Sequence, residues 1–432
     1  MPTPLDRPRL RPGLAAARDD RDQSAIVVFD QFRLSRQLLR VSPREFTWMQ
    51  WLDGSNTLRD VQAAAMRESG GALVPIEPLL ALVEKLDTAL FLDGPRFEAF
   101  LTGPVREPSC LGCYPDDPDE LRRKLEGYFT GAGGPGLPEK RRRGEEEKRR
   151  NGVPDVSSSP LLPFSSSDPA NGKRLRALLA PHIDYLRGGV SYAWAYKELA
   201  ERTDASLFVI VGTSHYSAER FTLTRQNFKT PLGIVESDQK FIDKLVENYG
   251  RGLFEDPLAH APEHSIELEV VFLQFLFENV RPIRIVPLVC GSFQDCIESG
   301  DEPAKSDDVG RMIAALRKAE ADAGEPVCYV ISGDLAHIGP KFGDPGRVTE
   351  SQLTLSRVQD QALIERAEKV DASAYFRIVE QEGDTRRICG LPPTYVVLQA
   401  SMPTSGKLLH YGQYVHPRGH ESVSFASMAF YA

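Results

Sequence analysis

The sequence lacks three features that would narrow its function at once. No apolar run approaches the roughly 20 residues that a transmembrane helix requires. The first residues contain arginine but lack the apolar stretch of a secretory signal. Positive charge is not in excess, since 52 Lys and Arg residues stand against 61 Asp and Glu residues and give a net charge of −9. We therefore expect a protein that neither enters membranes nor binds nucleic acid.

Cysteine is scarce. Six cysteines in 432 residues are too few for a disulfide scaffold, and we expect a reducing, cytoplasmic setting. Cys110 and Cys113 form a C-x-x-C pair, a spacing found in redox and zinc sites. No second such pair or paired histidines lie nearby, which favours a structural coincidence.

Histidine is also scarce, and it is unevenly placed. All eight histidines follow residue 180, at positions 182, 215, 260, 264, 337, 410, 416 and 420. Any imidazole chemistry therefore belongs to the C-terminal part of the chain.

Composition divides the chain into segments. Residues 1–22 are rich in proline and arginine without apolar periodicity, which predicts a disordered tail. Residues 23–100 predict a small domain, and residues 105–432 a larger one. Residues 131–175 are first Gly/Pro-rich, then of mixed charge, then Ser/Pro-rich, which predicts a disordered insertion.

The small domain shows the element order of a winged helix. A strand or hairpin precedes three helices, two of them starting at Ser42 and Thr57, and FLDGPRF is expected to close a strand pair. The stretch LDGSNTLRDV resembles the small PqqD-like peptide-binding domains that accompany radical enzymes. A helical accessory domain without a ligand of its own is the alternative.

From residue 176 onward, strands alternate with helices. Buried strands are predicted for LRALLAPH, SLFVIVG, IRIVPLVCG and VCYVISG. HSIELEVVFLQFLFE predicts a helix with one apolar face that carries Ile266, Val270, Leu273 and Phe277. A glycine-containing loop should precede the helix VSYAWAYKELAER, and the last two strands should be antiparallel. The expected fold class is α/β, a mixed central sheet flanked by helices.

Three histidines follow three of these strands. His182 comes after the first strand, His215 after the second, and His337 after VCYVISG. Ligands of open α/β sheets bind beyond the carboxyl ends of the strands. A core histidine bonded to a backbone carbonyl explains any one of them, but three together favour a shared site. Imidazoles from separate strands suit iron, copper or zinc.

A catalytic metal site needs a third protein ligand and an open position. Cys389 is the candidate, because it lies just before a helix that begins near Pro392 and Pro393. The helix N-terminus, Arg386 and Arg387 are expected to lower the pKa of its thiol. A small buried thiol without a ligand role is the alternative.

Two further motifs reach the same edge of the sheet. SGDLAH offers Asp334 and His337 as an acid–base pair or as substrate contacts. HAPEHSIELE carries Glu263 and His264 at a helix start, and we expect these to support the metal ligands or to face the substrate.

Several stretches in one order resemble a known family. They are CYPDDPDELRRKLEGYF, LLAPHIDYLRGGVSYAWAYKEL, VIVGTSHY, KTPLGIVESD, PEHSIELEVVFLQFL, VPLVCG, VISGDLAHIG and CGLPPTYVVLQA. On these residues the chain resembles the Memo family, specifically its prokaryotic members called AmmeMemoRadiSam system protein B. The resemblance implies a fold like that of class III extradiol ring-cleaving dioxygenases, which use non-haem iron.

The resemblance also implies roles for individual residues. The metal ligands would be His182, His215 and Cys389, with cysteine where the dioxygenases have a carboxylate. Iron(II) is then the expected metal, with copper or zinc as alternatives. His337 matches the acid–base histidine of the dioxygenases, and the other polar pocket residues are Asp334 and His264.

One departure from the family concerns Cys113. It stands before Tyr114, where the family usually has an aromatic residue, so the C-x-x-C pair is a by-product of a familiar motif. The domain at 23–100 and the insertion at 131–175 are also additions to the minimal family.

Two functions compete at this point. The first is a metal-dependent, dioxygenase-like oxidoreductase, and the second is a non-catalytic protein that holds a metal or binds a peptide. The family names imply partners of the radical-SAM and AMMECR types, with a small molecule or peptide in the pocket.

Overall fold

The structure is a computed structural model that describes residues 6–20, 22–110, 112–139 and 173–432. Within it the chain forms two compact units, Met1–Ser109 and Cys110–Ala432. No helix among the described residues is both long and apolar enough to cross a membrane.

The smaller unit combines an antiparallel sheet with short helices. Its strands pair in the order β1-β2-β3. The strands are β1 (Leu14–Arg18), β2 (Ile26–Asp30), β3 (Leu39–Val41) and the short β4 (Val105–Arg106), and the helices are α1 (Pro43–Met49), α2 (Leu58–Glu68), α3 (Glu77–Thr88) and α4 (Pro95–Thr102). The predicted helix starts are confirmed, because Ser42 and Thr57 each form a capping box with the residue three positions on.

Two predictions for this unit are wrong. Residues 14–18 lie in the predicted disordered tail, yet they form β1 and pair with β2. Backbone pairing and a buried ion pair between Arg11 and Asp30, at 2.8 Å, hold this segment, and neither leaves an apolar pattern in the sequence. Instead of the predicted strand pair around FLDGPRF, Gly94 and Pro95 begin helix α4, since proline is favoured in a first helical turn.

The larger unit is built on one mixed sheet, as predicted. Its strands follow the order β12-β14-β5-β11-β6-β10-β9-β8, with β13 beside β14 and β7 beside β10. They are β5 (Leu175–Ala180), β6 (Leu207–Thr213), β7 (Phe221–Leu223), β8 (Asn227–Thr230), β9 (Gly233–Ser237), β10 (Arg284–Cys290), β11 (Val327–Ser332), β12 (His337–Ile338), β13 (Ser405–Val415) and β14 (Ser422–Tyr431). Strands β5, β11, β6 and β10 are parallel, and β13 and β14 are antiparallel.

Helices cover both faces of this sheet. They are α5 (Pro118–Thr130), α6 (Tyr185–Arg202), α7 (Gln239–Tyr249), α8 (His264–Phe277), α9 (Gln294–Ser299), α10 (Asp307–Asp322), α11 (Glu350–Glu368), α12 (Ala372–Gln381) and α13 (Leu391–Ser401). Alternate residues of β6 enter two separate cores, Val209 and Val211 on one face and Phe208 and Ile210 on the other. A strand buried on both faces is therefore apolar throughout.

The structure corrects two predictions about helices in this unit. Helix α8 has no single apolar face, because all residues from Ser265 to Phe277 are buried. Gly188 and Gly189 lie inside α6 rather than in a loop before it. A Cβ at Gly188 would lie 2.4 Å from the Ile183 side chain, and one at Gly189 would lie 2.5 Å from the Tyr128 ring, so glycine permits the close packing.

The insertion predicted at 131–175 is ordered at both ends. The Gly133 carbonyl accepts a hydrogen bond from the Trp194 indole at 2.9 Å, and the Pro135 carbonyl accepts one from Lys197 at 2.6 Å. β5 begins at Leu175. Residues 140–172 lie outside the described residues.

Candidate metal centre

The predicted site residues converge because three parallel strands end at one edge of the sheet. His182, His215 and Asp334 each lie two residues beyond the end of β5, β6 and β11. These strands are neighbours in the order β5-β11-β6. Cys389 lies two residues before α13, and its carbonyl accepts a hydrogen bond from the Thr213 hydroxyl at the end of β6, at 2.8 Å.

His182 belongs to two groups of metal-ligand side chains. One group is His182, His215 and His264, and the other is His182, Asp334 and Cys389. Within each group, one ligand atom per residue lies within 4.8 Å of the others. The ligand set implied by the family resemblance, His182 with His215 and Cys389, thus spans both groups rather than matching either.

We call Glu263, His215 and His264 the charged half of the centre. Glu263 caps the N-terminus of α8, and its carboxylate accepts backbone hydrogen bonds from His215 (2.8 Å), His264 (2.9 Å) and Ser265 (3.0 Å). It also lies 3.0 Å from Nδ1 of His215. An ionised carboxylate can only accept, so Nδ1 carries the hydrogen and Nε2 of His215 is left for a ligand.

The pKa shifts in the charged half favour an ionised Glu263 and a protonated His215. Burial would raise the pKa of Glu263, but His215, His264 and the backbone donors lower it well below the usual range. Burial would likewise lower the pKa of His215, but the Glu263 carboxylate raises it above 6.5. Glu263 is therefore an ionised buried group at the positive end of a helix.

We call Asp334 and Cys389 the neutral half. Sγ of Cys389 lies 3.2 Å from Nε2 of His182, and the His182 backbone N–H donates to Asp334 at 3.1 Å. Burial raises the pKa of Asp334 to about 7. Desolvation around the sulfur, and then Asp334, raise the pKa of the partly exposed Cys389 well above its usual value. Burial also holds the pKa of His182 well below 6.5.

The predicted lowering of the Cys389 pKa is wrong. Arg386 is paired with Asp360 and, at 2.9 Å, with Glu382. Arg387 is paired with Asp344 at 2.7 Å. Both guanidinium groups are thus paired with carboxylates, of which Asp360 and Asp344 are remote in sequence, and desolvation of the thiol dominates.

His337 stands beside the two ligand groups and belongs to neither. Its Nδ1 faces the carbonyl oxygens of Arg387, at 3.0 Å, and Leu335, at 3.2 Å. Carbonyls only accept, so Nδ1 carries the hydrogen and Nε2 keeps a free lone pair. Burial lowers the pKa of His337 to about 4, which leaves the ring neutral at pH 7.

Two glycines bring the neutral half together. A Cβ on Gly333 would lie 2.5 Å from the Gly390 Cα, and the Gly390 N–H donates to the Asp334 carbonyl at 2.9 Å. The backbone segments that carry Asp334 and Cys389 are therefore in direct contact.

Sequence reasoning missed how central the start of α8 is. Glu263 was expected to have a supporting role, and its contacts agree with that role: the carboxylate faces Nδ1 of His215, after β6, and Nδ1 of His264, at the start of α8. His264 was expected to be a pocket residue, and it lies within ligand distance of His182 and His215. The available signal was an acidic residue directly before a helix, because such a residue caps the helix and orients its first turn.

Comparisons with known proteins identify relatives along nearly the whole chain. Residues 161–429 match the family model described as Memo-like protein. A MEMO1 family protein of Aquifex aeolicus is 25% identical over 418 residues, 94% of this chain and 96% of the relative. A MEMO1 family protein of Methanopyrus kandleri is 29% identical over 333 residues, 75% of this chain and 98% of the relative. One from Caldivirga maquilingensis is 30% identical over 270 residues, 60% of this chain and 85% of the relative.

Proposed function

Because the chain belongs to the Memo-like family, we propose that it is an oxidoreductase that binds iron(II) between the two halves of the candidate centre. The observation that carries the proposal is the place of His182, which is shared by both ligand groups. A cation held there would take ligands from both halves, namely His182, His215 and Cys389.

The donor set suits a transition metal. Imidazole nitrogen and thiolate sulfur are ligands that iron, copper and zinc bind well. His182 is fully enclosed, and its Nδ1 has no hydrogen-bond partner among the described residues. Its Nε2 shares a proton with the Cys389 sulfur at 3.2 Å, and a cation would replace that proton.

Bound iron would supply one-electron redox chemistry and an open position for O₂ or a substrate heteroatom. The protein's own groups would handle protons and orientation. His337 offers the Nε2 lone pair as a general base at neutral pH. Asp334, with a pKa of about 7, can give up or take a proton in the same range. Glu263 holds the His215 ring in one tautomer.

The test is metal content after anaerobic purification, followed by O₂ consumption with ascorbate as reductant. We expect about one equivalent of iron per chain, as for a single site with three protein ligands and an open position, and O₂ uptake above that of the apoprotein. A protein that binds no transition metal even after anaerobic reconstitution would overturn the proposal. Metal binding without O₂ uptake would favour the alternative, a non-catalytic protein that stores or delivers the metal. The radical-SAM and AMMECR-type partners stay predictions, tested by co-purification.

A further inference from the structure

Cys110 and Cys113 are joined by a disulfide in the structure, three residues apart. The other four cysteines are free, and Cys290 and Cys328 among them are fully buried. The sequence favoured a coincidence for this pair, whereas the structure joins the two sulfurs covalently. The role of this disulfide can be stability or chemical reactivity.

Stabilisation is a weak explanation. A disulfide stabilises a fold mainly by closing a loop in the unfolded chain, and the effect falls as the loop becomes shorter. The loop between Cys110 and Cys113 is already closed by a hydrogen bond from the Cys113 N–H to the Cys110 carbonyl, at 2.9 Å. The cross-link therefore adds little to the free energy of unfolding of the whole chain.

The two cysteine residues differ in exposure. Cys110 is buried at 9% exposure, whereas Cys113 is partly exposed beside the exposed Gly112. An external thiolate can reach one sulfur of a disulfide only where solvent can reach it. This asymmetry makes Cys113 the sulfur that an incoming thiolate attacks.

The pair is connected to helix α8 by one carboxylate. Oε1 of Glu267 accepts the Cys110 backbone N–H at 3.0 Å and also the Tyr114 hydroxyl. Glu267 is fully buried, and it lies in the first turn of α8, three residues after His264. The loop that carries the disulfide is thereby attached to the helix turn that carries part of the charged half.

We propose that Cys110 and Cys113 form a thiol–disulfide exchange site for dithiol reductants, and that reduction loosens the 110–114 loop from Glu267. This holds whether or not the candidate centre binds metal. A thiolate of the dithiol attacks Sγ of Cys113, breaks the Cys110–Cys113 bond and forms a mixed disulfide. The second thiol of the reductant then displaces Cys113. Two electrons and two protons pass to the protein, which gains two thiols, and the dithiol becomes a cyclic disulfide.

The first test counts thiols in the folded, full-length chain. Samples are equilibrated in dithiothreitol buffers of graded oxidation, quenched in acid, and labelled with a maleimide polymer after denaturation. We expect the label count to rise by two in one two-electron step while the other four cysteines stay constant. The Cys110→Ser/Cys113→Ser variant is the matched control and should show no step. The proposal fails if the pair is reduced only when urea unfolds the protein, or if it is already reduced in every buffer.

The second test follows hydrogen–deuterium exchange of the oxidised and reduced chains. A backbone donor that loses a charged acceptor should exchange about tenfold faster or more, so we expect acceleration at Cys110 and in the first turn of α8. The amides of α12, whose buried side chains lie in the other core of this unit, serve as the internal reference. Identical exchange in both redox states would refute the link through Glu267.

Discussion

The charged half and the neutral half of the candidate centre meet at His182, yet they treat a buried carboxyl group in opposite ways. Glu263 and Asp334 are equally enclosed, at 1% and 2% exposure. The pKa of Glu263 is held low by His215 and the first N–H groups of α8, whereas burial raises that of Asp334 to about 7. Burial therefore does not fix the charge of a carboxyl group; the number of donors aimed at it decides.

The comparison has a direct consequence for cation binding. Ligands must be deprotonated to hold a cation, so Cys389 in the neutral half has to release its proton, whereas Glu263 in the charged half is already ionised. Variants of the direct ligands should consequently lower metal affinity, whereas variants of Glu263 and Asp334 should chiefly change stability.

Replacing His182 should have the largest effect, because this side chain serves both halves. His182→Ala removes a direct ligand and should weaken metal binding by more than the ~10–100-fold typical of supporting residues. The measurement is metal content by mass spectrometry after anaerobic purification, with His215→Ala alongside. His420→Ala, at an exposed position, is the control and should bind metal normally. Full loading of both ligand variants would place any site elsewhere.

Replacing Cys389 should separate a thiolate site from a carboxylate site. Cys389→Ala should lose most of the metal, since it removes the sulfur that lies 3.2 Å from Nε2 of His182. Cys389→Asp should keep part of it but lose the visible charge-transfer absorption that a thiolate gives. Metal content and visible spectra of the three anaerobic proteins check this. Equal loading with identical spectra would exclude Cys389 as a ligand.

Glu263→Gln should destabilise the metal-free protein. The variant loses the charge that accepts three backbone donors, and hydrogen bonds to charged groups are worth about 1.5–3 kcal/mol. Because folding lowers the pKa of Glu263, its contribution is complete above the ordinary glutamate pKa and is lost as the pH falls below it. Urea unfolding at pH 7 and pH 4 should show a gap from wild type that narrows in acid. A gap that widens in acid would contradict the ionised state.

Asp334→Asn should have the smallest effect on stability, and the sign of this effect should be opposite to that of Glu263→Gln. Asparagine keeps an oxygen for the His182 N–H, so the metal-free variant should be within about 1 kcal/mol of wild type or more stable. Folding raises the pKa of Asp334 from 3.8 to about 7. The free energy of unfolding of the wild type should therefore decrease as the pH rises from about 4 to about 7. The variant should lack this decline in the same urea series. Strong destabilisation by the variant at pH 8 would contradict the raised pKa of Asp334.

The sequence predicted the parts of this fold that depend on local patterns. The mixed sheet, the antiparallel final strands and the helix starts at Ser42 and Thr57 follow from apolar periodicity and capping residues. The placement of His182 and His215 at one sheet edge follows from the rule that parallel strands end together.

The sequence could not predict features that depend on remote partners. Helix α8 looks amphipathic until α5 and α6 are known to cover its outer side. Arg387 looks like a neighbour that lowers the Cys389 pKa until its ion pair with Asp344 is known. Likewise, the tail is ordered because β1 pairs with β2 and Arg11 pairs with Asp30. Both partners lie beyond residue 22, so the composition of the tail alone does not reveal them.

The contact between Gly333 and Gly390 sets the distance between the backbone segments that carry Asp334 and Cys389. Non-bonded carbon atoms settle about 3.5–4.0 Å apart, whereas a Cβ at Gly333 would have only 2.5 Å to the Gly390 Cα. An alanine at this position would act as a wedge, pushing the loop before α13 outward and widening the gap between the Cys389 sulfur and His182. One methyl group that is not itself a ligand would thus change how tightly the centre closes on a cation.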